Sequence, residues 1–254
     1  MWFGAQALAT LFRMKKVLLL LLFLSLLGNA GLVWFANRQY VETAALRLDP
    51  LQLDIYHSPV PPKVAGKQRA VFFGDSRALS WSAPAIEQVE FLNRGIGNQT
   101  SEQIRLRFAE HIAPLHADIL ILQLCVNDLK AIALLPQRRD AIVAQCERNI
   151  LSIIAAARAA GSRVILTTVF PLGKVPPERA LLWSDAIAPA LREVNRFIAA
   201  QAGDGVTVFD AFTVLQGEPD LIRPEYSRDL LHLNARGYEV LNQHLQVMLA
   251  SAPH

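Results

Sequence analysis

Five short apolar runs, at residues 70–73, 89–92, 118–124, 163–169 and 206–209, alternate with helix-like stretches at 101–115, 138–160, 185–202 and 235–250. This alternation leaves few architectures open. Strands joined by helical crossovers return to the same edge and lie parallel, and the crossovers are right-handed. The stretch 138–160 shows how such a helix would pack. Ile142, Cys146, Ile150, Ile153, Ile154 and Ala157 recur at helical spacing while Arg138, Arg139 and Glu147 fall elsewhere, so this helix should cover one face of a sheet. There is no internal repeat. With 52% hydrophobic and 19% charged residues, the chain can build a core and does not resemble a disordered protein.

Residues 17–36 carry no charge and are flanked by Lys15-Lys16 and Asn37-Arg38. A helix of that length rises about 30 Å, enough to cross the core of a bilayer. The expectation is a transmembrane signal anchor at 17–36, with residues 1–16 cytoplasmic and the remainder facing away from the cytoplasm, as the excess of positive charge before it directs. The alternative is a cleaved signal peptide, because Gly28-Asn29-Ala30 has the small residues that cleavage needs. Against cleavage, the apolar run continues to Trp34-Phe35, and Trp34 suits an interfacial anchor. Met14-Lys15-Lys16 has the form of a translation start, which would set residues 1–13 outside the natural chain. Residues 37–68 contain Asp49-Pro50 and Pro59-Val60-Pro61-Pro62 and are expected to be an extended linker, followed by a domain at 69–254. This layout implies a single-pass protein of the bacterial inner membrane with its domain in the periplasm, or a secreted one if the segment is cleaved.

The net charge of +3 resides in the anchor region. Arg13, Lys15, Lys16 and Arg38 are the only charged residues before Glu42, and without them the chain stands at −1. Binding nucleic acid needs clustered Lys and Arg on the folded part, so nucleic acid is not an expected partner.

In an open parallel sheet, ligands meet the loops beyond the carboxyl ends of the strands. The first strand ends in Gly74-Asp75-Ser76-Arg77, the second in Asn93-Arg94-Gly95-Ile96-Gly97-Asn98, and the third in Cys125-Val126-Asn127-Asp128. Asp229-Leu230-Leu231-His232 precedes the last helix. Each piece alone has an ordinary reading as a cap, a turn or polar surface. Together they fill every role in acyl transfer. Ser76 would be the nucleophile, His232 its base, and Asp229 the acceptor that fixes the histidine tautomer. The amides of Ser76 and Gly95 and the side chain of Asn127 would donate to the oxyanion.

On these blocks and their order, residues 69–250 resemble the SGNH hydrolase superfamily, the GDSL-type esterases and lipases. Gly74-Asp75-Ser76 matches the block carrying the nucleophile, Gly95 the oxyanion glycine, Asn127 the oxyanion asparagine, and Asp229 with His232 the Asp-x-x-His pair. The resemblance implies a flavodoxin-like three-layer α/β/α sandwich with a five-stranded parallel sheet in the order 2-1-3-4-5, a shallow site, and no cofactor or metal. It also implies a serine carboxylic ester hydrolase, acting here on small acyl esters, acylated glycans or lipid-derived esters of the envelope. An O-acyltransferase using the same acyl-enzyme, or a binding and assembly module without turnover, are the rivals. Two departures, Cys125 where the family usually has glycine and Leu230 where it often has glycine, are expected to add bulk at the site. Arg77 is expected to pair with an acid or to contact an anionic substrate.

No Gly-x-Ser-x-Gly elbow occurs. His57, His111, His116, His244 and His254 form no ligand spacing that suggests a metal. Cys125 and Cys146 could be a disulfide or two free thiols.

Overall fold

The computed structural model describes residues 2–56 and 59–250, with side chains from Thr10 onward. His57, Ser58 and residues 251–254, which include the end of the expected domain and His254, lie outside the described residues. Strands β1 (Gln68–Gly74), β2 (Val89–Gly95), β3 (Ile119–Gln123), β4 (Arg163–Thr167) and β5 (Val206–Phe209) form one sheet in the order β2-β1-β3-β4-β5. All neighbouring pairs are parallel, and Gly74 stands opposite both Gly95 and Gln123 at the carboxyl edge. The helices are α1 (Trp2–Leu48), α2 (Ser76–Leu79), α3 (Ser101–Leu106), α4 (Phe108–His111), α5 (Val126–Lys130), α6 (Arg139–Ala159), α7 (Ile187–Ala199), α8 (Ala211–Leu215) and α9 (Ala235–Ala250).

Strand side chains alternate between two cores with the period of a pleated strand. Val71, Phe73, Leu120, Leu122 and Leu166 pack with Cys146, Ile150 and Ile153 of α6 and with Leu191 and Val194 of α7. Ala70, Phe72, Ile119, Ile121 and Ile165 face the other way, onto Trp81 and onto Leu241 and Leu245 of α9. Each fully buried aliphatic or aromatic side chain contributes roughly 1.5–3 kcal/mol, so both layers hold the sheet, and the three-layer α/β/α sandwich follows.

The expected helix at 101–115 breaks into α3, α4 and a 3-10 turn at Ala113–Leu115. The interruption falls at Arg107, whose side chain turns inward and is fully buried. Its guanidinium donates to Gly74 O at 2.8 Å, Arg94 O at 2.8 Å and Gln99 Oε1 at 2.5 Å, tying this segment to the ends of β1 and β2.

The chain divides into a unit up to Pro50 and a body from Leu51. The first is α1, whose span Thr10–Leu48 contains an 18-residue stretch with a mean hydropathy of 2.3 and is long and apolar enough to cross a membrane. Leucines such as Leu18, Leu21 and Leu27 are exposed around it, as suits a helix solvated by lipid. Residues 37–48, expected to be extended, continue this helix, because no glycine or proline interrupts them before Pro50.

From Leu51 onward, the described part of the expected linker belongs to the body. Leu53–Tyr56 makes a 3-10 turn. Tyr56 Oη donates to Gly95 O at 2.6 Å, Gln99 Nε2 donates to Leu51 O at 2.8 Å, and His111 Nε2 lies 3.1 Å from Leu53 O. Further on, Arg69 donates to Pro61 O at 2.9 Å and Lys63 bonds Asp118 at 2.7 Å.

Candidate active site

β1 ends against β3 so closely that a Cβ on Gly74 would lie 1.8 Å from Gln123 O, and only glycine fits. Asp75 then caps α2, accepting from Arg77 N at 2.9 Å. Burial pushes the Asp75 carboxyl up to about 6, against the pull of the Arg77 cation, and its second oxygen has no partner among the described residues. Ser76, the first residue of α2, is left facing the last loop. Its Oγ lies 3.0 Å from His232 Nε2.

The segment preceding α9 folds around Asp229. Its Oδ1 accepts from Leu231 N at 2.8 Å and His232 N at 2.9 Å, and both carboxylate oxygens lie 2.9 Å from His232 Nδ1. Partial burial alone would raise this carboxyl, but the two amides and the imidazole outweigh it and hold it at about 2. An ionised Asp229 requires a proton on Nδ1, which leaves Nε2 as an acceptor toward Ser76.

Arg77 makes no direct salt bridge among the described residues, although the charges of Asp75 and Asp229 act on it, and it does not reach solvent. It is 0% exposed. The guanidinium donates to Leu231 O at 2.7 Å, Phe170 O at 3.1 Å and Pro171 O at 3.4 Å, and its carbon lies 5.3 Å from the centre of the Phe170 ring. Burial lowers its pKa to about 10, so it remains a cation at neutral pH. Arg77 thereby joins the helix bearing Ser76 to the residue preceding His232.

Gly95 departs from its expected role. Its amide donates to Asn93 Oδ1 at 2.8 Å, so it is not free for an oxyanion. Its glycine identity answers a packing demand, since a Cβ there would stand 2.2 Å from Leu79 N and 2.5 Å from Leu79 Cα, backbone atoms of α2. Gly95→Ala is therefore expected to lower the melting temperature while a Gly97→Ala control, whose added Cβ meets only the tip of Leu79 at 4.0 Å, does not. Equal melting of the two variants would refute the packing role. Three residues on, Asn98 takes the left-handed φ of 63°, and its amide has no partner among the described residues. A reading by motif passes over Asn98, because nothing in residue type marks a free amide.

After β3, Cys125 adopts φ 82°, the backbone that favours the glycine found there in the resembling family. Its side chain and that of Leu230 are buried in the core, so the expected bulk at the site is absent. Cys125 and Cys146 are both buried free thiols. Asn127 Nδ2 donates to Gln99 O at 3.0 Å, while its Oδ1 accepts from Lys130 Nζ at 3.1 Å. Asp128 accepts from Ser101 N at 2.8 Å and Ser101 Oγ at 2.7 Å, binding the loop after β3 to the start of α3. The loops after β1, β2 and β3 and the one before α9 thus form a continuous bonded rim.

Residues 66–240 match the GDSL-like lipase/acylhydrolase family. Among curated proteins, none matches by sequence. Solved structures with the same fold include a GDSL-like lipase of Bacteroides thetaiotaomicron, at 21% identity and a TM-score of 0.65, covering 80% of this chain and 99% of that one. An acetyl xylan esterase of Geobacillus stearothermophilus is similar over 74% of this chain and 98% of its own, at 14% identity and a TM-score of 0.58. With the match spanning the sheet and all four loops of the rim, the chain belongs to the GDSL-like lipase/acylhydrolase family and is a serine ester hydrolase of the SGNH fold.

Proposed function

We propose that this protein is a membrane-tethered esterase whose nucleophile is Ser76, acting outside the cytoplasm on O-acyl groups of envelope glycans or on lipid-derived esters. The observation that carries the assignment is the unbroken chain from Ser76 Oγ through His232 to the Asp229 carboxylate. His232 Nε2 takes the hydroxyl proton as Oγ attacks the ester carbonyl. The tetrahedral oxyanion is held by the Ser76 amide, the second N–H of Asn127 Nδ2 and, in place of Gly95, the amide of Asn98. Collapse expels the alcohol, which receives the proton from His232. Water, deprotonated by the same imidazole, then releases the acid and restores Ser76.

The length and apolarity of α1 and the excess of positive charge before it support the tether and the outward orientation. Labelling the full chain with a fluorophosphonate, which forms a phosphonyl bond only to an activated serine, should place the adduct on the peptide containing Ser76. An adduct on another residue, or none under conditions in which the chain cleaves a short aryl ester, would refute the assignment. Release of acetate from an O-acetylated glycan, compared with release of fatty acid from a lipid ester, separates the two substrate classes.

A further inference from the structure

Lys130 ends α5 with its ammonium turned back over the rim, half-buried, 3.1 Å from Asn127 Oδ1 and 3.4 Å from Asn98 Oδ1. No step of ester hydrolysis described above uses it. Its position nevertheless bears on two of the groups that do. The two ends of an asparagine amide are nearly the same size, so their partners alone decide which faces a substrate. In Asn127 the nitrogen end gives one proton to Gln99 O and the oxygen end is held by Lys130. Turning the amide over would set an NH2 against an ammonium and an oxygen against a carbonyl, two contacts between like partners. Lys130 therefore adds to Gln99 O a second contact that holds the amide in this orientation, with its other Nδ2 proton free to donate. The same ammonium restrains the side chain of Asn98, the residue with the left-handed backbone and the free amide.

We propose that Lys130 is a positioning residue for the oxyanion pocket, locking Asn127 in its donating orientation and joining the loop of Asn98 to the loop of Asn127. The proposal rests on the reading of Asn127 as an oxyanion donor. A positively charged neighbour also polarises the amide, and in a partly desolvated site this strengthens the hydrogen bond that Asn127 gives. Since the pocket is filled by negative charge only in the transition state, the loss of Lys130 should appear in kcat and leave KM nearly unchanged.

The test is a double-mutant cycle with the full chain in detergent micelles and a neutral short-chain aryl ester. Lys130→Met should lower kcat by about 10- to 100-fold with KM within about twofold, and Lys130→Arg should recover most of the loss. Asn127→Ala should lower kcat by roughly 100- to 1,000-fold, and adding Lys130→Met to it should cost little more. An unchanged kcat in Lys130→Met, a change confined to KM, or an equal loss in both backgrounds would overturn the role of Lys130 while leaving Asn127 in place. Wild-type turnover in Asn127→Ala would instead overturn the oxyanion reading itself. If Lys130→Met melts early, the Lys130→Arg and Asn127→Ala arms still decide, because a failure of arginine to support turnover in a stable protein contradicts the proposal.

Discussion

Ester turnover by the Ser76→Ala chain is expected to fall by about 10⁴- to 10⁶-fold in kcat, with His232→Ala close behind, because nucleophile and base act as one unit. The hydroxyl and Nε2 stand 3.0 Å apart, so removing either leaves the other with nothing to exchange a proton with. Asp229→Asn should lose about 10⁴-fold although it preserves shape. An amide there can donate to Nδ1, which favours the tautomer carrying its proton on Nε2 and blocks proton removal from Ser76. The carboxyl of Asp229 titrates at about 2, so between that pH and neutrality it stays ionised and the acid limb of activity belongs to another group. Steady-state hydrolysis of an aryl ester checks all three variants, and turnover at the wild-type rate by Ser76→Ala would end the assignment.

The second large effect is expected at Arg77, and it should appear in stability as well as activity. Arg77→Met keeps an apolar side chain against Phe170 but strips donors from the buried bonds to the carbonyls of Leu231, Phe170 and Pro171. Leaving such groups unpaired costs about 3–5 kcal/mol in total, which corresponds to a fall in melting temperature of roughly 10 °C or more. Because Leu231 precedes His232, the folded fraction should also turn over more slowly, with Ser76 itself untouched. Melting and kcat measured on the same preparation distinguish this from a surface arginine, whose loss would change neither.

Much of the fold could be read from residue pattern, and the reasons differ by element. β1, β3 and β4 are buried on both faces and read as continuous apolar runs, while α6 shows its stripe because only one side packs. The break at Arg107 could not be read, because it arises from three acceptors elsewhere in the chain, two of them strand-end carbonyls. The same holds for Arg77. An arginine is seldom fully buried, and residue type gives no sign that main-chain oxygens distant in sequence will surround it. At the rim, Ser76, Asn127, Asp229 and His232, the residues proposed for the site, could be singled out because the chemistry proposed for them is written in their side chains. Gly95 and Asn98 could not be told apart, since what separates them is whether a backbone N–H is already bonded, and that depends on Asn93 folding back two residues.

The bond from Tyr56 to Gly95, with those from Gln99 to Leu51 and from His111 to Leu53, has a consequence for proteolysis. Residues before the family match at 66–240 hold the back of the loop that continues to Asn98. A protease cutting between Pro50 and Leu51 would free a body with every one of these bonds intact. A cut only slightly later, within the proline-rich segment before β1, would carry Tyr56 away and loosen the rim from behind. The stretch that looks in sequence like spare length is where release of an active enzyme and release of an impaired one part company.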